Sequence, residues 1–150
     1  MPAIIEKVSS DKHLHDLQSL FTEYFAISGS LVNQRLVNKL HSLAYFHGFL
    51  LYLDSQPAGF AVCYESFSTY QCKKVLNIHD FMVAKNHRGM GYARLLLVEI
   101  EEYCRAMDYL KITLEVKTQN NSAQQLYRTF GFKDEQDTQA NSLHWQKYLA

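Results

Sequence analysis

Asn86-His87-Arg88-Gly89-Met90-Gly91-Tyr92-Ala93 lies between an apolar extended run, Ile78 to Val83, and an amphipathic stretch, Tyr92 to Met107. That order predicts a strand, a tight turn and a helix. Glycine admits left-handed backbone and lets the main chain come close to a ligand. The first N–H groups of a helix have no internal partner and suit an anion. Arg88 adds a fixed positive charge at the mouth. The stretch therefore predicts a site for a phosphorylated ligand, built from Arg88, Gly89, Met90, Gly91, Tyr92 and Ala93.

Two common phosphate loops do not fit. A P-loop ends Gly-Lys-Ser/Thr, whereas Gly91 is followed by Tyr92. A dinucleotide fingerprint needs a third small residue where this chain has Arg94.

The chain has 150 residues, enough for one domain with a real core. It is 47% hydrophobic and 20% charged, with Lys+Arg 15 balanced by Asp+Glu 15. A general nucleic-acid binder would carry a basic excess. Cys63, Cys72 and Cys104 are scattered, odd in number and free of metal-binding spacing, so they read as thiols of a reducing compartment. No apolar run approaches a membrane span and no signal-peptide layout opens the chain, which points to the cytoplasm.

Outward from the glycine turn, strands are expected at Ile4–Val8, Phe49–Leu53, Ala58–Tyr70, Val75–Val83, Leu110–Val116 and Leu143–Leu149. Asp54-Ser55-Gln56-Pro57 and Lys73-Lys74 read as turns, and Asp134 to Asn141 as a polar loop. A first helix follows the cap candidates Ser9, Ser10 and Asp11, and Ser28-Gly29-Ser30 breaks it. A second amphipathic stretch carries Leu31, Leu36, Leu40 and Leu43. The helix from Tyr92 shows Ala93, Leu96, Ile100, Cys104 and Met107 on one stripe. Strands and helices mix without strict alternation, predicting an α/β or α+β sheet with parallel and antiparallel pairs.

A second motif follows: Asn120-Asn121-Ser122-Ala123-Gln124-Gln125-Leu126-Tyr127-Arg128-Thr129-Phe130-Gly131-Phe132. Asn120 or Asn121 caps a helix, Ala123, Leu126 and Phe130 form its apolar stripe, and Gly131 ends it. Tyr127 stands off that stripe, which packing alone does not explain.

Together, Arg88-x-x-Gly91-x-Ala93 and Asn120-x-x-Ala123-x-x-Leu126-Tyr127-x-x-x-Gly131-Phe132 resemble the two-part signature of the GNAT acyltransferases. The resemblance covers Val75 to Phe132 and implies a mixed sheet that splays open between two parallel strands, here those ending near Val83 and starting near Leu110. It implies that acetyl-coenzyme A is the acetyl donor, with its pyrophosphate on the glycine turn and its pantetheine arm on free backbone near Met82, Val83 and Ala84. Asn120 and Tyr127 complete the implied cofactor site. Tyr64-Glu65-Ser66-Phe67-Ser68-Thr69-Tyr70 followed by Ile78-His79-Asp80-Phe81 is similar to the diamine and thialysine acetyltransferase branch. Asp80 matches that branch; His79 departs from it, standing where an acid is expected.

Acetyl transfer to an amine requires a deprotonated nucleophile, since an alkylammonium has a pKa of about 10.4. The resemblance makes Tyr127 the proton donor to the departing thiolate. Backbone N–H groups at a strand bulge near Met82 are expected to stabilise the thioester oxygen. Asp80 and His79 are the candidates for handling the amine proton, and alternation along a strand lets one of them face the acceptor directly. Glu65, from the neighbouring strand, and Tyr24 are further acceptor contacts. Cys63 and Cys104 read as core thiols, and no metal is required. The acceptor expected is a primary amine of a small molecule; a protein N-terminus or lysine is the alternative, as is a non-catalytic acetyl-coenzyme A sensor. A nucleotide-binding domain is a third class. A homodimer is expected by analogy with small family members, and nine Phe and ten Tyr supply apolar surface.

Overall fold

The computed structural model of the chain describes residues 2–134 and 142–149. From residue 135 onward, the polar loop expected at Asp134 to Asn141 lies outside them. The described strands form one sheet in the order β1-β2-β3-β4-β5-β7-β6. They are β1 Ala3–Lys7, β2 Phe46–Leu53, β3 Gln56–Ser68, β4 Lys73–Val83, β5 Lys111–Lys117, β6 Lys133–Asp134 and β7 Ser142–Tyr148. Neighbouring strands are antiparallel except β4 and β5, which run parallel. Helices α1 (Asp11–Ala26) and α2 (Leu36–Ser42) cover one face; α3 (Tyr92–Ala106) and α4 (Asn121–Thr129) cover the other.

Alternation along the central strands divides the core between these faces. Phe60 and Val62 of β3 pack with Leu17 and Phe21 of α1, whereas Ala61 and Cys63 pack with Leu96 and Ile100 of α3. Helix α1 starts at Ser10, whose side chain accepts from the His13 amide while His13 Nδ1 accepts from the Ser10 amide. That reciprocal cap satisfies two amides that a helix start leaves without partners.

Several boundaries differ from expectation, among them the start of β2 at Phe46 rather than Phe49 and the end of β3 at Ser68 rather than Tyr70. Only Asp54 and Ser55 form the β2–β3 turn, at φ 49 and 66, and Pro57 already lies in β3 opposite Tyr52. Positive φ at both central residues matches the sheet's twist. Lys73 and Lys74 are not a turn: they pair with Ser68 and Phe67 and lengthen the β3–β4 hairpin. Leu31 precedes α2 and is 98% exposed, so the helix takes its apolar face from Val37 and Leu40. Met107 lies beyond α3, half-exposed, and Leu97 takes its place in the stripe.

Candidate functional site

The parallel pair opens beside the centre of the sheet. β4 and β5 pair from Val75↔Lys111 to Ile78↔Leu114 and no further, while β4 runs on to Val83 and β5 to Lys117. The last five residues of β4 therefore keep β3 on one side only. Their backbone directions follow from alternation. The Ala84 amide donates to the Ala58 carbonyl, and the Met82 carbonyl abuts Gly59 so closely that a Cβ there would lie 2.8 Å from it. Met82 and Ala84 thus spend their backbone groups on β3. Phe81 and Val83 turn theirs to the splay. Met82 still lines the cleft, but the open edge belongs to Phe81 and Val83.

The splay leads into a cleft of about 590 Å³ that ends at the glycine turn. Gly91 is the N-cap of α3 at φ 87, and Gly89 has φ 76. Both conformations suit glycine, and a Cβ at either position would meet nothing within 4 Å. The first helical bond here is Leu95 N–H to the Gly91 carbonyl, so the amides of Tyr92, Ala93 and Arg94 have no partner within the helix. Arg88 Nε donates to the Val83 carbonyl at 2.8 Å, which ties the turn to the open strand. The cleft lining carries Arg88 and Arg94 and no carboxylate. His87 lines it too, with Nδ1 buried and unpartnered among the described residues. Met90 is 62% exposed and does not reach the cleft wall. Across the cleft, Asn120 caps α4 by accepting from the Ala123 amide at 3.2 Å. An open anion cradle, two arginines and a free strand edge are what a phosphorylated cofactor with an amide-bearing arm requires.

Tyr127 sits at the inner end of this cleft. It is 7% exposed, so the buried side of α4 runs through Gln124, Tyr127 and Phe130, while Ala123 and Leu126 are partly buried and line the cleft. The stripe expected from the sequence is rotated because Gln124 is buried as a loop clamp. Its Nε2 donates to the carbonyls of Lys117 and Thr118. The Tyr127 ring stands edge-on to Phe81, Phe132 and Trp145. Burial, with a smaller contribution from Tyr24, pushes its phenol up to about 12. Tyr127 is therefore protonated at neutral pH and has a proton to give.

The β3–β4 ladder shifts register between Val62↔Asp80 and Cys63↔Ile78, which leaves His79 as the extra residue of a bulge. The expected bulge near Met82 lies instead three residues earlier. Its consequence overrides simple alternation: His79 and Asp80 reach the same face. The His79 ring lies 5.0 Å from that of Tyr64, and Tyr64 and Tyr24 both belong to the α1 side. The Tyr24 hydroxyl donates to Asp80 Oδ1 at 3.2 Å. Burial raises the Asp80 carboxyl above the usual range, partly opposed by His79 and by the Tyr24 hydrogen bond. Tyr64, which opens the stretch similar to the diamine and thialysine branch, lies two residues after Val62 and so on this face.

Glu65 is not part of this group. It lies on the α3 face, where its Oε1 accepts from the Tyr109 hydroxyl at 2.8 Å and sits 3.0 Å from His47 Nε2. Lys74 Nζ adds an ion pair at 3.4 Å. Among the described residues no helix is long and apolar enough to cross a membrane.

Residues 14–132 match the family model of the acetyltransferase (GNAT) family. The thialysine N-epsilon-acetyltransferase of Caenorhabditis elegans is 27% identical over 121 residues, 79% of this chain and 72% of that one. Among solved structures, the GNAT-family acetyltransferase of Streptococcus pneumoniae matches with a TM-score of 0.79 at 18% identity, over 99% of this chain and 100% of that one. Arabidopsis thaliana Naa50, in complex with the bisubstrate analogue CoA-Ac-MVNAL, matches with a TM-score of 0.75 at 21% identity, over 97% of both chains. At such identities the structural likeness speaks for the fold. The family match carries the rest: this chain belongs to the acetyltransferase (GNAT) family and is an N-acetyltransferase.

Proposed function

We propose that the protein transfers an acetyl group from acetyl-coenzyme A to a primary amine of a small molecule, by direct attack and without a covalent enzyme intermediate. The observation that carries this reading is the convergence of Tyr127 and Tyr24 on one cleft that ends at the glycine turn, with Asp80 behind the cleft wall on the Tyr24 hydroxyl. The thioester supplies the activated acetyl group. Arg88, the first amides of α3 and the α4 cap at Asn120 hold the phosphate end. Phe81 offers its backbone groups to the arm, and Val83 its amide, the Val83 carbonyl being held by Arg88. Asp80 attracts the acceptor ammonium and, with His79, relays its proton towards solvent, so that the neutral amine attacks. Tyr127 then protonates the departing sulfur.

The likeness to a thialysine acetyltransferase supports a small, amine-bearing acceptor. A protein N-terminus is the second reading. Ile27 favours it, because it lines the cleft while 66% exposed and offers apolar footing for a residue beyond the reacting amine. Cytoplasmic placement and a homodimer complete the proposal. Light scattering at micromolar concentration checks the dimer, and a monomer mass removes it. Thiol release from acetyl-coenzyme A tests the activity against diamines, amino-acid side-chain amines and short peptides. Turnover of peptides but not small amines would reverse the order of the two readings. Turnover of none would overturn the proposal.

A further inference from the structure

We infer that Tyr24 is the positioning residue of the acceptor site: its hydroxyl holds one oxygen of Asp80 and leaves the other to the acceptor ammonium. This rests on the acetyl-transfer reading above. Four groups electrostatically coupled to Asp80 are His79 on its own strand, Cys63 and Tyr64 on β3, and Tyr24 on α1. Among the described residues, Tyr24 alone hydrogen-bonds the carboxylate, through Oδ1.

The Tyr24 ring is fixed by the core. It stands edge-on to Phe60 at 5.5 Å and to Phe21 at 6.2 Å. Its hydroxyl is thus delivered from a rigid helix to a strand residue that the His79 bulge has turned towards it. Burial and the Asp80 charge push the Tyr24 phenol up to about 12, so it remains a donor throughout the working range. A hydrogen bond to an ionised acceptor favours the ionised form, whereas burial of Asp80 favours the neutral one. Without the donor, Asp80 is neutral over a wider range of pH, and a neutral carboxyl does not attract an ammonium. Tyr24 also lines the cleft together with Tyr127, so it stands where the acceptor side meets the cofactor side.

The test compares Tyr24→Phe, Asp80→Asn and the double variant in the full chain. Phenylalanine keeps the ring packing. Acetyl-coenzyme A affinity by calorimetry is expected to stay within about twofold of wild type, while acceptor kcat/KM falls roughly 10- to 100-fold. The acid limb of the kcat/KM profile moves to higher pH in Tyr24→Phe. The Asp80 carboxyl, followed by carbon NMR without substrate, titrates higher as well. The double variant loses no more than Asp80→Asn alone, because both changes remove one interaction. Replacing Tyr24 with a fluorotyrosine, a stronger donor of the same shape, moves both readouts the opposite way. An unmoved Asp80 titration in Tyr24→Phe, or losses that multiply in the double variant, overturns the inference. The NMR titration needs no turnover, so its result is separate from a failure to acetylate any amine.

Discussion

Tyr24 and Asp80, 56 positions apart in the chain, meet at 3.2 Å across the α1–β4 contact, with the hydroxyl donating to Oδ1. The contact joins a core aromatic to the one acid of the acceptor cluster and places that acid half-buried. A half-buried carboxylate is a cost to the fold. That cost gives a consequence for stability as well as for function.

The folded carboxyl of Asp80 titrates above its ordinary value of 3.8. A raised acid contributes stability that is fully present below the unfolded value and is lost as pH rises through the folded one. Asp80→Asn removes that penalty and preserves an acceptor for Tyr24. It is expected to melt a few degrees above wild type at pH 7, about 1 kcal/mol being worth roughly 2–4 °C at this size. The gain disappears at pH values below the ordinary carboxyl range. Acceptor kcat/KM falls in the same variant. Melting curves across pH check the first effect, and a stable wild type with an equally stable variant at every pH would contradict it.

Tyr127→Phe is expected to bind acetyl-coenzyme A within about twofold of wild type and to turn over roughly 10²–10⁴-fold more slowly. The ring keeps its edge contacts with Phe81 and Trp145, so the change removes the proton donor alone. Single-turnover kinetics beside calorimetry separate the two effects. A wild-type rate across pH would leave Tyr127 a packing residue.

Gly91→Asp places a charged side chain where the backbone has φ 87 and where the cradle opens. Acetyl-coenzyme A affinity is expected to drop at least about tenfold, or about 1.4 kcal/mol. Gly91→Ala separates backbone strain from charge and should lose less. Equal affinities for the aspartate variant and wild type, with the fold intact, would remove the phosphate site from this turn.

Glu65→Gln is expected to leave acceptor KM unchanged and to destabilise the protein by about 1–2 kcal/mol at pH 7. Although burial raises it, bonds from Tyr109 and His47, with Lys74, hold the Glu65 carboxyl below its ordinary range. A depressed acid contributes stability that is present above the unfolded value and is lost as pH falls through the folded one. Urea melts at pH 7 and near pH 3 should therefore differ between variant and wild type only at the higher pH. A raised acceptor KM would return Glu65 to the acceptor site.

The local chemistry of this chain was legible in its residues. Gly91 requires no neighbour to explain a left-handed turn, Asn120 sits where a helix needs a cap, and alternating apolar residues mark Ile112, Leu114 and Val116 as a strand. These signals are short in range, set by backbone sterics and by the periods of helix and strand. The splayed sheet was not legible in this way: it was implied only by the resemblance of the two motifs to the GNAT acyltransferases.

What only the tertiary structure decided depends on pairing between distant strands. The bulge at His79 exists because β3 and β4 change register, and no residue of β4 announces it. One extra residue moves Asp80 onto the face of His79 and Tyr64, where period-two reasoning separates them. The same alternation, counted along β3, sends Glu65 to the far face with Tyr109. The open strand edge fell to Phe81 and Val83 because Met82 pairs with Phe60, a partner fixed by the hairpin. Tyr127 stands off the apolar stripe read from the sequence, and only the folded chain, with Gln124 donating to the carbonyls of Lys117 and Thr118, puts it on the buried side of α4. The sequence thus determined which elements form and which residues carry chemistry. Strand register and helix rotation, set by contacts far apart in the chain, decided which of those residues share a site.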